Sequence, residues 1–210
     1  MMAQFGDDPL AEFTIQDLMV EEQVHRHANE LAATLAGLRI VKSHGLQKTN
    51  LLDEAIDRVE AQCDLHRLML TAGTRDLGLE VADLCHLLLR SRLGGSGLRI
   101  MCSVDRLDMA HDLRRVIVLL TYELINNAIK HSPEGSNPIR LILRAADDRH
   151  LLSVVNTVAA TGSSSAGSRG IAIVAGLADR FGGSLKVRFT KRHARVSVSF
   201  ERPLSAATAF

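Results

Sequence analysis

The sequence predicts an α+β protein: an N-terminal helical hairpin followed by a two-layer sandwich of one sheet and one layer of helices. Three observations predict it. Residues 14 to 70 carry apolar side chains at the three- and four-residue steps of amphipathic helices. Beyond Ala72 the pattern alternates between strand and helix periods, so that strands and helices form separate layers. Charge divides at the same place: residues 1–72 hold 6 Lys/Arg against 12 Asp/Glu, and residues 73–210 hold 19 against 12.

In the first helix, Thr14 to about Ser43, the residues Leu18, Val24, Ala28, Leu31, Leu35 and Leu38 form one stripe, and His44-Gly45 breaks it. Thr49 or Asn50 caps a second helix with Asp53 and Glu54 in its first turn, and Leu52, Ala55, Val59, Cys63, His66 and Leu70 repeat the stripe. Two antiparallel helices leave that seam open to water. Pairing with a twofold copy closes it as a four-helix bundle, so a homodimer is expected.

In the basic half, helices are expected over Leu79–Arg92, Met109–His131 and Arg169–Phe181. Strands are expected over Leu98–Val104, Ile139–Ala145, Leu151–Asn156, Ser184–Phe189 and Ala194–Glu201, with Gly182-Gly183 and Lys191-Arg192 as turns. Thr157–Ser168, rich in Gly, Ser and Ala, reads as a mobile loop, and Pro203–Phe210 as a loose tail. The domains are therefore 1–72, 73–202 and a tail over 203–210.

Composition excludes several classes. With 210 residues, 46% of them hydrophobic, the chain has ample material for a core. Cys63, Cys85 and Cys102 form no CxxC pair and sit in apolar stretches, so they read as core residues of a protein in a reducing compartment. No basic-then-apolar leader precedes the first helix, and no apolar run approaches the ~20 residues of a membrane span, so a cytoplasmic protein without membrane contact is expected. The absence of Trp, a single Tyr and the dispersal of cations along the sequence argue against nucleic acid as a partner.

Two stretches carry chemistry. The first is His25-Arg26-His27-Ala28-Asn29-Glu30-Leu31. An exposed imidazole titrates near neutrality and is available as a nucleophile toward phosphorus. Asn29 lies one turn on, and the same face continues with Ala32, Ala33 and Ala36, small enough for another protein to approach. The alternative is an ordinary surface histidine, one of 9. The second stretch, Glu123-Leu124-Ile125-Asn126-Asn127-Ala128-Ile129-Lys130-His131, sets a carboxylate and a carboxamide one turn apart on a helix. Their structural alternative is local: Asn127 capping backbone groups and Glu123 pairing with an Arg.

His25, Arg26, Asn29 and Leu31 resemble the phosphoacceptor helix of the HisKA_2 and HWE type of bacterial histidine kinases. Glu123 and Asn127, with Lys130 and His131, resemble the N box of the GHKL ATP-binding domain, and the order of hairpin, N box, glycine-bearing loop with helix, and closing strands is similar along nearly the whole chain. The resemblance implies that His25 accepts a phosphoryl group, that Asn127 holds the Mg²⁺ bridging the nucleotide phosphates, and that Glu123 is linked to catalysis.

The departures from that pattern shape the functional expectation. Where the family has an adenine-binding Asp in an Asp-x-Gly-x-Gly turn, this chain has Asn156-Thr157-Val158, which removes a charge and a glycine. Its Gly-x-Gly-Leu becomes Ser168-Arg169-Gly170-Ile171, with Gly167 just before; glycines leading into a helix can still cradle an anion. The Trp-x-Glu signature of the HWE branch is absent, and Tyr122 stands where that branch has His. With so short a lead before Thr14, no sensor domain is expected. A histidine phosphotransferase is therefore expected. His25 would pass a phosphoryl group between receiver-domain aspartates, Asn29 would orient it and Arg26 would contact the receiver. Mg²⁺ would be supplied at the receiver, and ATP would bind weakly or not at all at a remnant site of Glu123, Asn127, Lys130, Asn156, Gly167 and Gly170. Partners would be response-regulator receivers, including those of hybrid histidine kinases. The alternatives are an ATP-dependent histidine kinase without its own sensor, and a dimeric scaffold that binds a receiver or kinase without chemistry.

Overall fold

The computed structural model describes residues 33–34, 36–40, 49–91, 97–146, 148–158 and 169–202. Most of the expected first helix, the tail Pro203–Phe210 and the loop beyond Val158 as far as Ser168 lie outside the described residues. Residues 36–40 form a helical segment, α1, and are followed by α2 (Thr49–Leu70), α3 (Leu77–Arg90), β1 (Ile100–Val104), α4 (His111–His131), β2 (Ile139–Ala146), β3 (Arg149–Thr157), α5 (Arg169–Arg180), β4 (Gly183–Phe189) and β5 (His193–Glu201). Element types and order agree with the sequence-based expectation, and the described ends differ by no more than two residues. The start of α3 is one difference: Asp76 accepts a hydrogen bond from Leu79 N at 3.1 Å, so the helix begins at Leu77 rather than Leu79.

The strands form one mixed sheet in the order β1-β2-β3-β5-β4. β1 and β2 are parallel, joined by the crossover through α4, and the remaining pairs are antiparallel. Alternation assigns the faces. Ile139, Leu141 and Leu143 of β2, Leu152 and Val154 of β3, and Val198 and Phe200 of β5 are buried beneath α4 and α5. Arg140 of β2 is in register with Val155, Arg195 and Arg188 across the sheet, on the opposite face. Arg140, Arg144, Lys186, Arg188 and Arg195 are exposed there, so cations dispersed along the sequence gather on one surface. No Phe, Tyr or Trp of the strands alternates onto that face.

Part of the hairpin is visible. Thr34 Oγ1 donates to Gln62 Oε1 at 3.4 Å, and a Cβ at Gly37 would lie 3.7 Å from an Arg58 guanidinium nitrogen, the pairing of two antiparallel helices. α2 has two apolar faces where the sequence reading saw one. Ala61, Leu65 and Leu68 are buried and continue into Ala72 and the core beneath α3, while Arg90 of α3 pairs with Asp57 of α2. Leu52, Ile56, Val59, Cys63 and Leu70 form a second stripe at successive steps of four, three, four and seven residues, and they are exposed.

The turn between α2 and α3 is tightly held. The Glu80 carboxylate, 1% exposed, accepts from Gly73 N at 2.9 Å and Arg75 N at 3.1 Å. Gly73 has φ +86°, and a Cβ there would lie 2.9 Å from Arg115 N of α4, so both conformation and space demand glycine. The cysteine expectation needs correction: Cys85 is buried, but Cys63 and Cys102 are exposed. Cys63 lies on the outer stripe of α2, and Cys102 on β1, an edge strand with a neighbour on one side only. Among the described residues no helix is long and apolar enough to cross a membrane.

Candidate functional site

The carboxamide of Asn127, the carboxylate of Glu123 and the first turn of α5 meet at one point. A Cβ built on Gly170 would lie 2.9 Å from Asn127 Nδ2, 3.3 Å from Asn127 Oδ1 and 3.4 Å from Glu123 Oε2. The spacing of the two α4 residues places them on one face, and α5 packs across that face only because residue 170 has no side chain. Glu123 is buried. Asn127 Nδ2 is buried without a hydrogen-bond partner. An orphaned amide in a protein interior costs about 1–3 kcal/mol, which marks this as a position kept for something other than internal bonding.

Asn156 stands at the end of β3 beside the last turns of α4. It is buried, and its Nδ2 lies 3.0 Å from Thr157 O, 3.3 Å from Ser132 Oγ and 3.5 Å from Ala128 O. Ser132 closes α4, with its hydroxyl donating to Ala128 O at 2.7 Å. The amide therefore ties a strand end to a helix end. Ser132 escaped the sequence reading; its only signal there was a hydroxyl placed just after a helix and before Pro133, a capping position. Backbone at residue 158 is also engaged, with Val158 N donating to Arg192 O at 2.9 Å.

The structure thus brings together Glu123, Asn127, Asn156 and Gly170 of the sequence-predicted residues. Lys130 lies on the same helix one turn beyond Asn127 and is exposed. His25, Arg26, Asn29 and Gly167 lie outside the described residues.

Fit to ATP with Mg²⁺ divides along the site. At the phosphate end, a carboxamide without an internal partner, a neighbouring carboxylate and a glycine-opened helix start suit an oxygen-liganded cation and an anion. At the base end the fit is weaker. The Asn156 amide nitrogen faces protein acceptors, which leaves its carbonyl oxygen to accept from an exocyclic amine, and Asn lacks the charge that strengthens such a bond.

Comparison with known proteins gives fold-level matches. No family model matches the chain, and no curated protein matches it by sequence. Among solved structures, a bacterial phosphotransferase superposes with a TM-score of 0.63 at 13% identity, covering 91% of this chain and 98% of that one. The histidine kinase domain of the Erythrobacter litoralis EL346 blue-light activated histidine kinase superposes with a TM-score of 0.51 at 21% identity, covering 89% and 94%. The protein has a histidine-kinase-like fold. Its mixed sheet with one helical layer resembles in fold the GHKL-type domain that the sequence motifs imply.

Proposed function

We propose that this chain is a cytoplasmic, dimeric histidine phosphotransferase of a two-component phosphorelay. In this reading the hairpin of residues 1–72 carries the phosphoryl group on His25, and residues 73–202 are a GHKL-type domain that no longer uses ATP. A neutral imidazole nitrogen of His25 attacks the phosphorus of an aspartyl phosphate on one receiver domain. The phosphorus–oxygen bond to that aspartate breaks, and the carboxylate leaves. The reverse step loads the aspartate of a second receiver. Asn29 orients the imidazole or the incoming phosphoryl group, Arg26 contacts the receiver, and Mg²⁺ is held by the receiver's own carboxylates.

The observation that carries this reading over a kinase is that Asn156, a neutral amide with its nitrogen turned to Ala128, Ser132 and Thr157, stands where the resemblance calls for a charged adenine acceptor. The likeness in fold to a bacterial phosphotransferase along nearly the full length of both chains supports it. The Asn127, Glu123 and Gly170 cluster favours the second reading, an ATP-dependent histidine kinase, in which Asn127 would hold Mg²⁺ and Gly170 would admit the phosphates.

The deciding experiment incubates the full chain with γ-labelled ATP and Mg²⁺, and separately with a phosphorylated receiver domain. Label reaching His25 from the receiver alone is the expected result. Label reaching it from ATP would make the protein a kinase, and stable receiver binding without labelling from either source would make it a scaffold.

A further inference from the structure

Two of the three cysteines meet where α3 crosses the edge of the sheet. Cys85 Sγ and Cys102 Sγ are 3.6 Å apart, although 17 residues separate them in the chain. Cys102 shares register with Leu141 of β2, whose side chain is fully buried on the helical face, so its sulfur points toward α3. Cys85 projects to meet it from the buried face of α3, between Leu84 and Leu88.

The two residues differ in exposure. Cys85 is 4% exposed, whereas Cys102 is exposed because no strand flanks β1 on its outer side. They also differ in character. The hydrogen bond between the two sulfurs holds the Cys102 pKa below the usual thiol value, against the opposing effect of its partial burial. The same hydrogen bond and then burial push Cys85 upward, so that it keeps its proton. An exposed cysteine with a lowered pKa in contact with a shielded one is the arrangement of an attacking and a resolving cysteine.

We propose that Cys102 and Cys85 form an oxidation site that takes a low-molecular-weight disulfide such as oxidised glutathione and closes to an internal disulfide. The Cys102 thiolate attacks one sulfur of the small disulfide, forming a mixed disulfide and releasing one equivalent of small thiolate. Cys85 then gives up its proton and attacks Cys102 Sγ, forming the Cys85–Cys102 bond and releasing the second small thiol. Two protein thiols are oxidised, one small disulfide is reduced to two thiols, and no other reactant is needed. Closure requires the sulfurs to move from 3.6 Å to about 2.05 Å. The order of events follows from access, since Cys85 cannot meet the reagent first. The bond would join α3, which packs on the N-box helix α4, to the sheet edge.

The test treats the reduced full-length protein with oxidised glutathione, blocks remaining thiols under denaturing conditions, and maps the cysteine peptides by mass. The expected product is a Cys85–Cys102 peptide pair lighter by two hydrogens and reversed by dithiothreitol. In Cys85→Ala the mixed disulfide should persist on Cys102. In Cys102→Ser, which keeps the buried thiol in place, Cys85 should remain reduced in the folded protein. Wild-type protein in which Cys102 carries glutathione while Cys85 stays free, or in which neither reacts, overturns the proposal.

Discussion

Asn127 lies so close beneath Gly170 that a single methyl group at residue 170 would sit 2.9 Å from its amide nitrogen, and that nitrogen has no hydrogen-bond partner. If Asn127 capped backbone groups, its loss would leave them unsatisfied. Asn127→Ala is expected instead to keep stability within about 1 kcal/mol of wild type, because lost packing is offset by removal of a buried donor that itself costs about 1–3 kcal/mol. Denaturant unfolding measures this. A loss well beyond that range would show the amide to be structural.

Asn156→Asp tests whether the adenine site can be restored by returning the charge. The structure predicts that it cannot. An ionised Asp would lose the amide donor and face Ala128 O and Thr157 O with like partial charge. A cost of about 1–3 kcal/mol in stability is expected, without gain of nucleotide affinity. Calorimetric titration with ATP and Mg²⁺ on both forms checks it. For the wild type, losing a charge-assisted bond removes roughly 1.5–3 kcal/mol, about a ten- to hundredfold loss of affinity. Micromolar binding by the wild type would contradict this.

His25→Ala should abolish acceptance of phosphate from a phosphorylated receiver and leave folding and dimerisation unchanged. Phosphate analysis of the variant beside the wild type measures it. Continued acceptance would move the site to His27 or to another histidine.

The exposed stripe of α2 makes dimerisation testable on the full chain. Truncation near Thr71 would be a poor test, since it would also expose Ala61, Leu65 and Leu68, which pack in the core with residues of α3. Ile56→Glu places a charge on the outer stripe and leaves the inner face intact. Light scattering should report a dimer for the wild type and a monomer for the variant. A wild-type monomer would remove the four-helix bundle.

Gly182 and Gly183 are adjacent and should fail for different reasons. Gly182 has φ +65°, and Gly182→Ala should cost about 1–2 kcal/mol for placing a side chain in the left-handed region. At Gly183 a Cβ would lie 2.6 Å from Phe200 Cε1, a ring that is 1% exposed and cannot step aside, so Gly183→Ala should cost about 1–3 kcal/mol through overpacking. Thermal melts of both variants decide the ranking.

The sequence by itself determined the fold class and the type and order of the described elements, because these follow from local periods: Val116 and Leu120 at helical steps, and Ile139, Leu141 and Leu143 set between Arg140 and Arg144 at strand steps. It also paired Glu123 with Asn127, since a spacing of four needs only a helix to become a contact. What lay beyond it were relationships between distant segments. Only the tertiary structure decided that α2 has one stripe facing the core and another facing outward, because apolar side chains read alike on either. It decided that Gly170 closes over Asn127, that the Asn156 amide is held by Ser132, and that Cys102 lies on an open edge against Cys85. Each of these depends on where two elements cross, and a crossing is set by packing across the whole core rather than by any local spacing.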